Sequence, residues 1–255
     1  MIFETHAHYD DEAFDEDREA LLGSMRENGI EYIVNIGADL KTTANTVALT
    51  EKYPFIYGAA GVHPDMTKEL NEENFAWLEE QCRKERIVAV GEIGLDYYWD
   101  ATPRDVQKEW FLRQMNLAKE LNKPVVIHSR EAAQDTFDMI KEHHAGTTGG
   151  VIHCFSYSKE MAEAYVKLGY YIGIGGVVTF KNARKLKEAV EAIPLESILL
   201  ETDSPYLAPV PYRGKRNCSL YIPHIAQEIA ALKGVSYEEV VEVTNRNAKK
   251  LFGIA

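Results

Sequence analysis

Val125-Val126-Ile127-His128 and Gly150-Val151-Ile152-His153 bracket a helical pattern over Glu131–His144, and this strand–helix–strand unit decides the fold. Both apolar runs are continuous rather than alternating, as expected of parallel strands covered on both faces; the segment between them repeats apolar residues three and four apart. The unit recurs in both directions. Upstream lie Ile2-Phe3, Tyr32–Ile36, Ile56–Ala60 and Ile87–Val90; downstream lie Tyr170–Ile174 and Ile198–Leu200, which makes eight strand candidates. Helical patterns at Asp15–Asn28, Lys41–Tyr53, Asn71–Glu85, Asp105–Leu121, Ser158–Leu168 and Asn182–Ala192 fill the intervals. Eight βα repeats in 255 residues is the arithmetic of a (β/α)8 TIM barrel, read as one domain over residues 1–255. Two further helical stretches, Tyr221–Lys233 and Ser236–Leu251, follow, the second opening with the Ser-x-x-Glu form of a capping box. The competing architecture, an open doubly wound sheet, would usually use fewer strands.

Composition agrees with a packed enzyme-sized core: 45% of residues are hydrophobic and 27% charged. No apolar run reaches the roughly 18 to 20 residues that cross a bilayer, and Met1–His6 lacks a basic segment followed by an apolar one. Cys82, Cys154 and Cys218 are far apart and lack CxxC spacing, which argues against a disulfide framework or a thiolate zinc site. A cytoplasmic protein without membrane attachment is the expectation. The formal charge of −12 repels polyanions at long range, so a phosphate-bearing substrate needs a local positive centre.

The strand ends supply that centre. His6-Ala7-His8 closes the first strand, where a period of two puts both imidazoles on the same side. Glu92 follows Val88–Gly91 on the fourth strand, His128 ends the fifth, His153 the sixth, and Asp203 follows Leu199–Thr202 on the eighth. Taken singly, each has a bland explanation, since a lone His-x-His is more often packing than a ligand pair. Taken together, six buried polar groups at one barrel mouth would each cost several kcal/mol unless paired or coordinated. Metal binding explains all six. Four histidines and two carboxylates exceed the needs of one tetrahedral ion and suit two ions bridged by a carboxylate. Two divalent ions carry +4 against the −2 of Glu92 and Asp203, which leaves a site attractive to a phosphodiester.

Several neighbours qualify as substrate contacts. His63, in Gly61-Val62-His63-Pro64, is either a turn residue before proline or a donor to substrate. Asp96 follows the fourth strand and either orients a ligand, binds substrate or caps the next segment. Arg130 either meets a phosphate or opens the next helix. Arg213 and Arg216, with Lys215 between them, lie in the loop after the eighth strand, where barrel phosphate sites often occur. Against these, His143 and His144 end a helix and His224 sits on a late helix, so all three are excluded. Strand alternation points Cys154 away from the side on which His153 coordinates. No GxSxG elbow, P-loop or complete GxGxxG is present, so neither a nucleophilic serine nor an organic nucleotide cofactor is expected.

Taken in chain order, Thr5–His8, Gly61–Pro64, Gly91–Tyr98, His128–Arg130, His153–Ser156, Glu201–Leu207 and Arg213–Asn217 closely resemble the TatD family of metal-dependent deoxyribonucleases, within the amidohydrolase-like barrels. The resemblance implies a TIM barrel that binds divalent metal through His6, His8, Glu92, His128, His153 and Asp203 and hydrolyses DNA phosphodiesters. Three departures stand out: Glu4 where the family usually has Asp, Tyr9 where it has Leu, and Cys218-Ser219 where it has Glu-Pro.

The leading expectation is a two-metal phosphodiesterase, exonuclease-like on DNA single strands or ends, with zinc, manganese or magnesium as the ions and a metal-activated water as nucleophile. Glu92 bridges the ions, Asp203 binds metal while orienting or deprotonating the water, and Glu201 carries a proton. His63, Arg213 and Arg216 position the phosphate. Two alternatives keep the metals: hydrolysis of an amide, lactone or D-aminoacyl ester, and a metal-binding partner protein without catalysis.

Overall fold

The computed structural model describes residues 1–99, 101–143 and 147–255. Eight parallel strands pair in chain order: β1 (Ile2–Ala7), β2 (Ile30–Ile36), β3 (Ile56–Ala60), β4 (Ile87–Asp96), β5 (Val125–Arg130), β6 (Gly150–Ile152), β7 (Tyr171–Ile174) and β8 (Ile198–Leu200). Helices follow as α1 (Arg18–Ser24), α2 (Leu40–Lys52), α3 (Glu72–Cys82), α4 (Arg104–Glu120), α5 (Ala133–His143), α6 (Lys159–Lys167) and α7 (Arg184–Ala192), with α8 (Ile222–Lys233) and α9 (Tyr237–Phe252) after the last strand. The barrel closes just beyond β8, where Asp203 N–H donates to His6 C=O at 3.0 Å and His8 N–H donates to Ser204 C=O at 2.9 Å. The expected barrel is therefore the one observed, and among the described residues no helix is long and apolar enough to cross a membrane.

Two strands run farther than their apolar stretches. β1 continues through Glu4, Thr5 and His6, all buried, with the Glu4 and Thr5 side chains paired inside the barrel; Thr5 Oγ1, for example, donates to Leu200 C=O at 2.9 Å and Ser219 Oγ donates to Glu4 Oε2. β4 continues past Val90 to Asp96, so Asp96 ends that strand rather than following it. Its glycines serve close approach rather than a turn: a Cβ on Gly91 would stand 2.6 Å from Val126 Cβ. Other boundaries shift by a cap. Asn71 and Ser236 cap α3 and α9 through their side chains instead of beginning them. α5 starts at Ala133 because Glu131 has φ +53°, a left-handed backbone that a helix cannot include; His144, the end of the expected helix, lies outside the described residues. α1 starts at Arg18, whose guanidinium Nε donates to Tyr9 C=O.

Candidate metal centre

Every expected ligand sits at the carboxyl end of the barrel. His6 is on β1 and His8 one residue beyond it; Glu92 and Asp96 are on β4, His128 and Arg130 on β5; His153 follows β6, and Glu201 and Asp203 follow β8. His8, His63, Glu92, His128, His153 and Asp203 line one cavity of about 920 Å³, with His6 buried beneath. His6 Nε2 lies 3.2 Å from His8 Nε2, 3.5 Å from Glu92 Oε2 and 3.7 Å from Asp203 Oδ1. Asp203 Oδ1 is 3.4 Å from His8 Nε2 and 3.8 Å from His153 Nε2. On the other side, Glu92 Oε1 stands 2.8 Å from His128 Nδ1 and 3.8 Å from His153 Nε2.

The surrounding shell holds these groups in place. His8 Nδ1 meets Ile36 C=O at 3.0 Å, which fixes Nε2 toward the cavity. Asp96 Oδ2 holds His128 Nε2 at 2.9 Å. Gln107 and Gln114, seven residues apart on α4 and so on one helix face, hold the loop backbones: Gln107 Oε1 accepts from Asp96 N–H at 2.9 Å and Gln114 Oε1 accepts from Val62 N–H, beside His63, at 2.8 Å. Asp203 has φ +59°, a conformation few residues other than glycine adopt, and it lies where the chain leaves β8 and meets β1.

The electrostatics call for cations. Burial pulls His8 and His153 down, but Asp203 and Glu201 respectively, helped by other carboxylates, outweigh it and push each up to about 9. Burial likewise opposes His128, which Asp96 and Glu92 raise to about 9. Glu92, despite a burial effect that raises it, is held well below the usual carboxylate range by the imidazoles of His153, His128 and His6. Burial and the neighbouring His128 push His63 down to about 3, so that ring is neutral. The donors are imidazole nitrogens and carboxylate oxygens, and His6, His8 and Asp203 offer ligand atoms within 4.8 Å of one another, as do His63, Glu92 and His128. His6 Nδ1 and Glu201 Oε2 are buried without a hydrogen-bond partner. This donor set fits divalent metal.

Three positions differ from their sequence reading. Cys154 does not point away: its φ of +46° breaks strand alternation, and its Sγ lies within 4.8 Å of ligand atoms of His153 and Asp203. Burial, with the charges of Asp203 and Glu201, keeps this thiol well above its usual pKa and therefore protonated. Arg216 does not reach the cavity, because its guanidinium forms a two-pronged pair with Asp17 at 2.7 and 2.6 Å. Arg213 does not line it either and lies over Phe180, 4.4 Å from the ring centroid. The cavity takes its cations from Arg130 and from Lys41, a residue at the start of α2 that sequence reasoning missed. Trp99 and Tyr206, also missed, line the same mouth. Position beyond a strand's carboxyl end is the signal that could have found all three. His224 packs edge-on against Tyr212, and His143 faces Glu142.

Glu201 is buried, with Oε1 accepting from Cys154 N–H at 2.6 Å and standing 3.1 Å from His153 Nδ1. The departures at positions 4, 9 and 219 turn out to touch one another. Ser219 Oγ donates to Glu4 Oε2 at 2.9 Å, Tyr9 Oη meets Ser219 Oγ at 2.8 Å, and Ser219 N–H donates to Tyr9 Oη at 2.9 Å. Glu4 Oε1 in turn accepts from His6 N–H at 3.1 Å and Thr202 N–H at 3.0 Å, so this network braces the backbone beside two of the ligand positions.

The chain is similar to known proteins over its whole length. The family described as TatD related DNase matches residues 3–253. A Bacillus subtilis protein named uncharacterized metal-dependent hydrolase YabD is 45% identical over 254 residues, covering 100% of both chains. The 3'-5' ssDNA/RNA exonuclease TatD of Rahnella is 32% identical, covering 100% of this chain and 99% of its own. The crystal structure of the Escherichia coli TatD homologue YjjV superposes with a TM-score of 0.91 at 31% identity, covering 100% of this chain and 98% of that one. The chain belongs to the TatD-related DNase family of metal-dependent hydrolases.

Proposed function

We propose that this chain is a two-cation phosphodiesterase that shortens single-stranded DNA from its ends. The observation that carries the reading is the carboxylate of Glu92, whose Oε2 faces His6 at 3.5 Å while Oε1 faces His128 at 2.8 Å and His153 at 3.8 Å. One carboxylate thus joins two sets of imidazole nitrogens, as a ligand shared between paired ions must. His6, His8 and Asp203 would hold one ion and His128 and His153 the other, with Glu92 common to both; zinc and manganese suit this nitrogen-rich set better than magnesium. Bound there, divalent cations supply Lewis-acid chemistry, bringing the pKa of water toward neutrality and neutralising phosphoryl charge.

The chain's own side chains do the rest. Asp203 lines the cavity and takes the proton of the attacking water as its oxygen bonds to phosphorus and the ester oxygen departs. His63 Nδ1 accepts from Asp65 N–H at 3.3 Å, which leaves the ring proton on Nε2 to be donated to a phosphate oxygen. Arg130 and Lys41 pair with the remaining phosphate charge. Glu201 lies under the cavity beside His153, so it holds that ring in place and is a positioning residue rather than a proton carrier. Asp10, Asp11, Glu12 and Asp65 also line the mouth, and with −12 overall they disfavour a long polyanion track. Binding should therefore engage only a few phosphates and favour a flexible terminus.

The name of the Rahnella relative supports end-directed attack on single strands. The test uses manganese-reloaded protein with linear and closed-circular single-stranded DNA, duplex DNA, RNA and D-aminoacyl-tRNA across a salt series. Linear single strands should be cut fastest, with a salt slope reflecting about two or three phosphates. Equal rates on circles with a steep slope would overturn the end preference; turnover confined to the aminoacyl ester would overturn the phosphodiesterase reading.

A further inference from the structure

Among the described residues, the large apolar side chains left exposed are Met1, Tyr98, Trp99, Tyr206, Leu207 and Val210. All but Met1 belong to two loops, the one after β4 and the one after β8, and Trp99, Tyr206 and Leu207 line the cavity that holds the candidate ligands. Apart from Met1, no large apolar side chain among the described residues is exposed outside these two loops, so the exposure of Trp99 at 61% and Tyr206 at 56% marks the mouth.

These rings are held rather than loose. Asp96 Oδ1 accepts from Tyr98 N–H at 2.8 Å and from Trp99 N–H at 3.1 Å, while Oδ2 of the same carboxylate holds His128. The Arg130 guanidinium lies over the Tyr98 ring at 3.9 Å and the Trp99 ring at 5.5 Å, a cation–π arrangement that also turns its charge into the cavity. On the other loop, Tyr206 N–H donates to Asp203 C=O at 2.8 Å, Asn217 Nδ2 donates to Tyr206 C=O at 2.8 Å, and Tyr206 Oη donates to Asp11 Oδ2 at 3.1 Å. Each aromatic is thus tied through one residue to a ligand position, Trp99 through Asp96 to His128 and Tyr206 directly to Asp203.

We infer that Trp99 and Tyr206 are stacking platforms for the unpaired nucleobases next to the scissile phosphate, which makes the substrate class a single strand recognised by base faces. This rests on the phosphodiesterase reading above. A mouth rimmed by acidic side chains, with Arg130 and Lys41 as its lining cations, gains little from phosphate contacts along a strand, so flat π surfaces must contribute grip. Stacking ignores the sugar and base identity, because every base has a π face. Bases inside a duplex are already stacked and cannot reach these rings.

The test measures binding and cleavage with the metal-loaded protein. An eight-nucleotide strand carrying 2-aminopurine at its last two positions and hydrolysis-resistant phosphorothioate linkages is titrated against the same strand with abasic sites at those positions. The intact protein should quench the 2-aminopurine and bind the base-bearing strand about fivefold or more tightly than the abasic one. Trp99→Ala and Tyr206→Ala should each cut that preference, and Trp99→Phe and Tyr206→Phe, which keep a ring, should retain most of it. The corresponding cleavable strands should show the same order in kcat/KM. If both alanine variants keep the preference within twofold while the parent cleaves single strands, the stacking role falls and the phosphodiesterase stands. Phenylalanine variants that behave like the alanine ones would likewise overturn stacking. If the parent neither binds nor cleaves any strand, both readings fall.

Discussion

Replacing Gly173 with alanine should disable the site through one methyl group. A Cβ built on Gly173 stands 2.2 Å from Glu201 Oε2, 2.7 Å from its carboxyl carbon and 3.0 Å from Oε1. The backbone at Gly173 is not left-handed, so alanine brings no φ penalty and the whole effect passes through that contact. An ordinary contact to a Cβ begins at 3.4 Å, so the carboxylate oxygen at 2.2 Å must retreat by about 1 Å. Glu201 is 1% exposed and has no solvent to move into, so the retreat breaks its 2.6 Å bond from Cys154 N–H and its 3.1 Å approach to His153 Nδ1. Overpacking of this size costs about 1–3 kcal/mol, a fall in Tm of about 2–4 °C per kcal/mol for a chain of this length. Catalysis should suffer more, because a displacement of about 1 Å in a positioned group can cost about a hundredfold in rate. Steady-state cleavage of labelled single-stranded DNA, run beside metal analysis and circular dichroism, reads both effects. Adding Glu201→Asp shortens the acid by one methylene and should restore part of the lost kcat in the double variant. A Gly173→Ala protein with full metal content and kcat within threefold of the parent would refute the placement of Glu201 as the brace of His153.

Other perturbations have equally defined outcomes. Metal analysis of stripped and reloaded protein should approach two ions per chain, and Glu92→Ala should lose at least one; an unchanged stoichiometry would remove the shared carboxylate. Asp203→Asn should lower kcat by about a hundredfold or more while its circular dichroism overlays the parent, since an amide neither accepts the water's proton nor matches carboxylate coordination; activity within threefold at equal metal content would exclude that role. Glu4 supplies a pH test: burial pushes it up from 4.5 to about 8, against hydrogen bonds from Thr202, His6 and Ser219 that lower it. Because the folded protein holds this proton more tightly than the unfolded chain, the stability it contributes is complete below about pH 4.5 and is lost as pH rises toward 8, by on the order of 1 kcal/mol per unit. The Tm of the parent should therefore fall relative to that of Glu4→Gln between pH 5 and 8, and a constant difference would show that Glu4 titrates normally.

The barrel and the strand-end positions of the candidate ligands were legible in the chain alone because both follow local rules. Continuous apolar runs mark strands covered on both faces, and a polar residue at the end of such a run, as in Ile127-His128 or Ile152-His153, must face the mouth whatever the rest of the chain does. The same rule reached His6, Glu92 and Asp203. It failed where the backbone leaves the extended state or where polar residues are paired inside the barrel: Cys154 turns into the cavity on a left-handed φ, and β1 runs on through buried Glu4 and Thr5. What only the tertiary structure decided is which distant groups meet. Arg216 is claimed by Asp17 across 199 positions, Glu4 finds Ser219 across 215, and Gly173 leaves the space that the Glu201 carboxylate fills. Trp99 and Tyr206 come to one mouth from opposite halves of the chain. None of these pairings has a period or a spacing. They arise when eight strands close on themselves, because closure brings residues together by their height on the barrel rather than by their separation along the sequence.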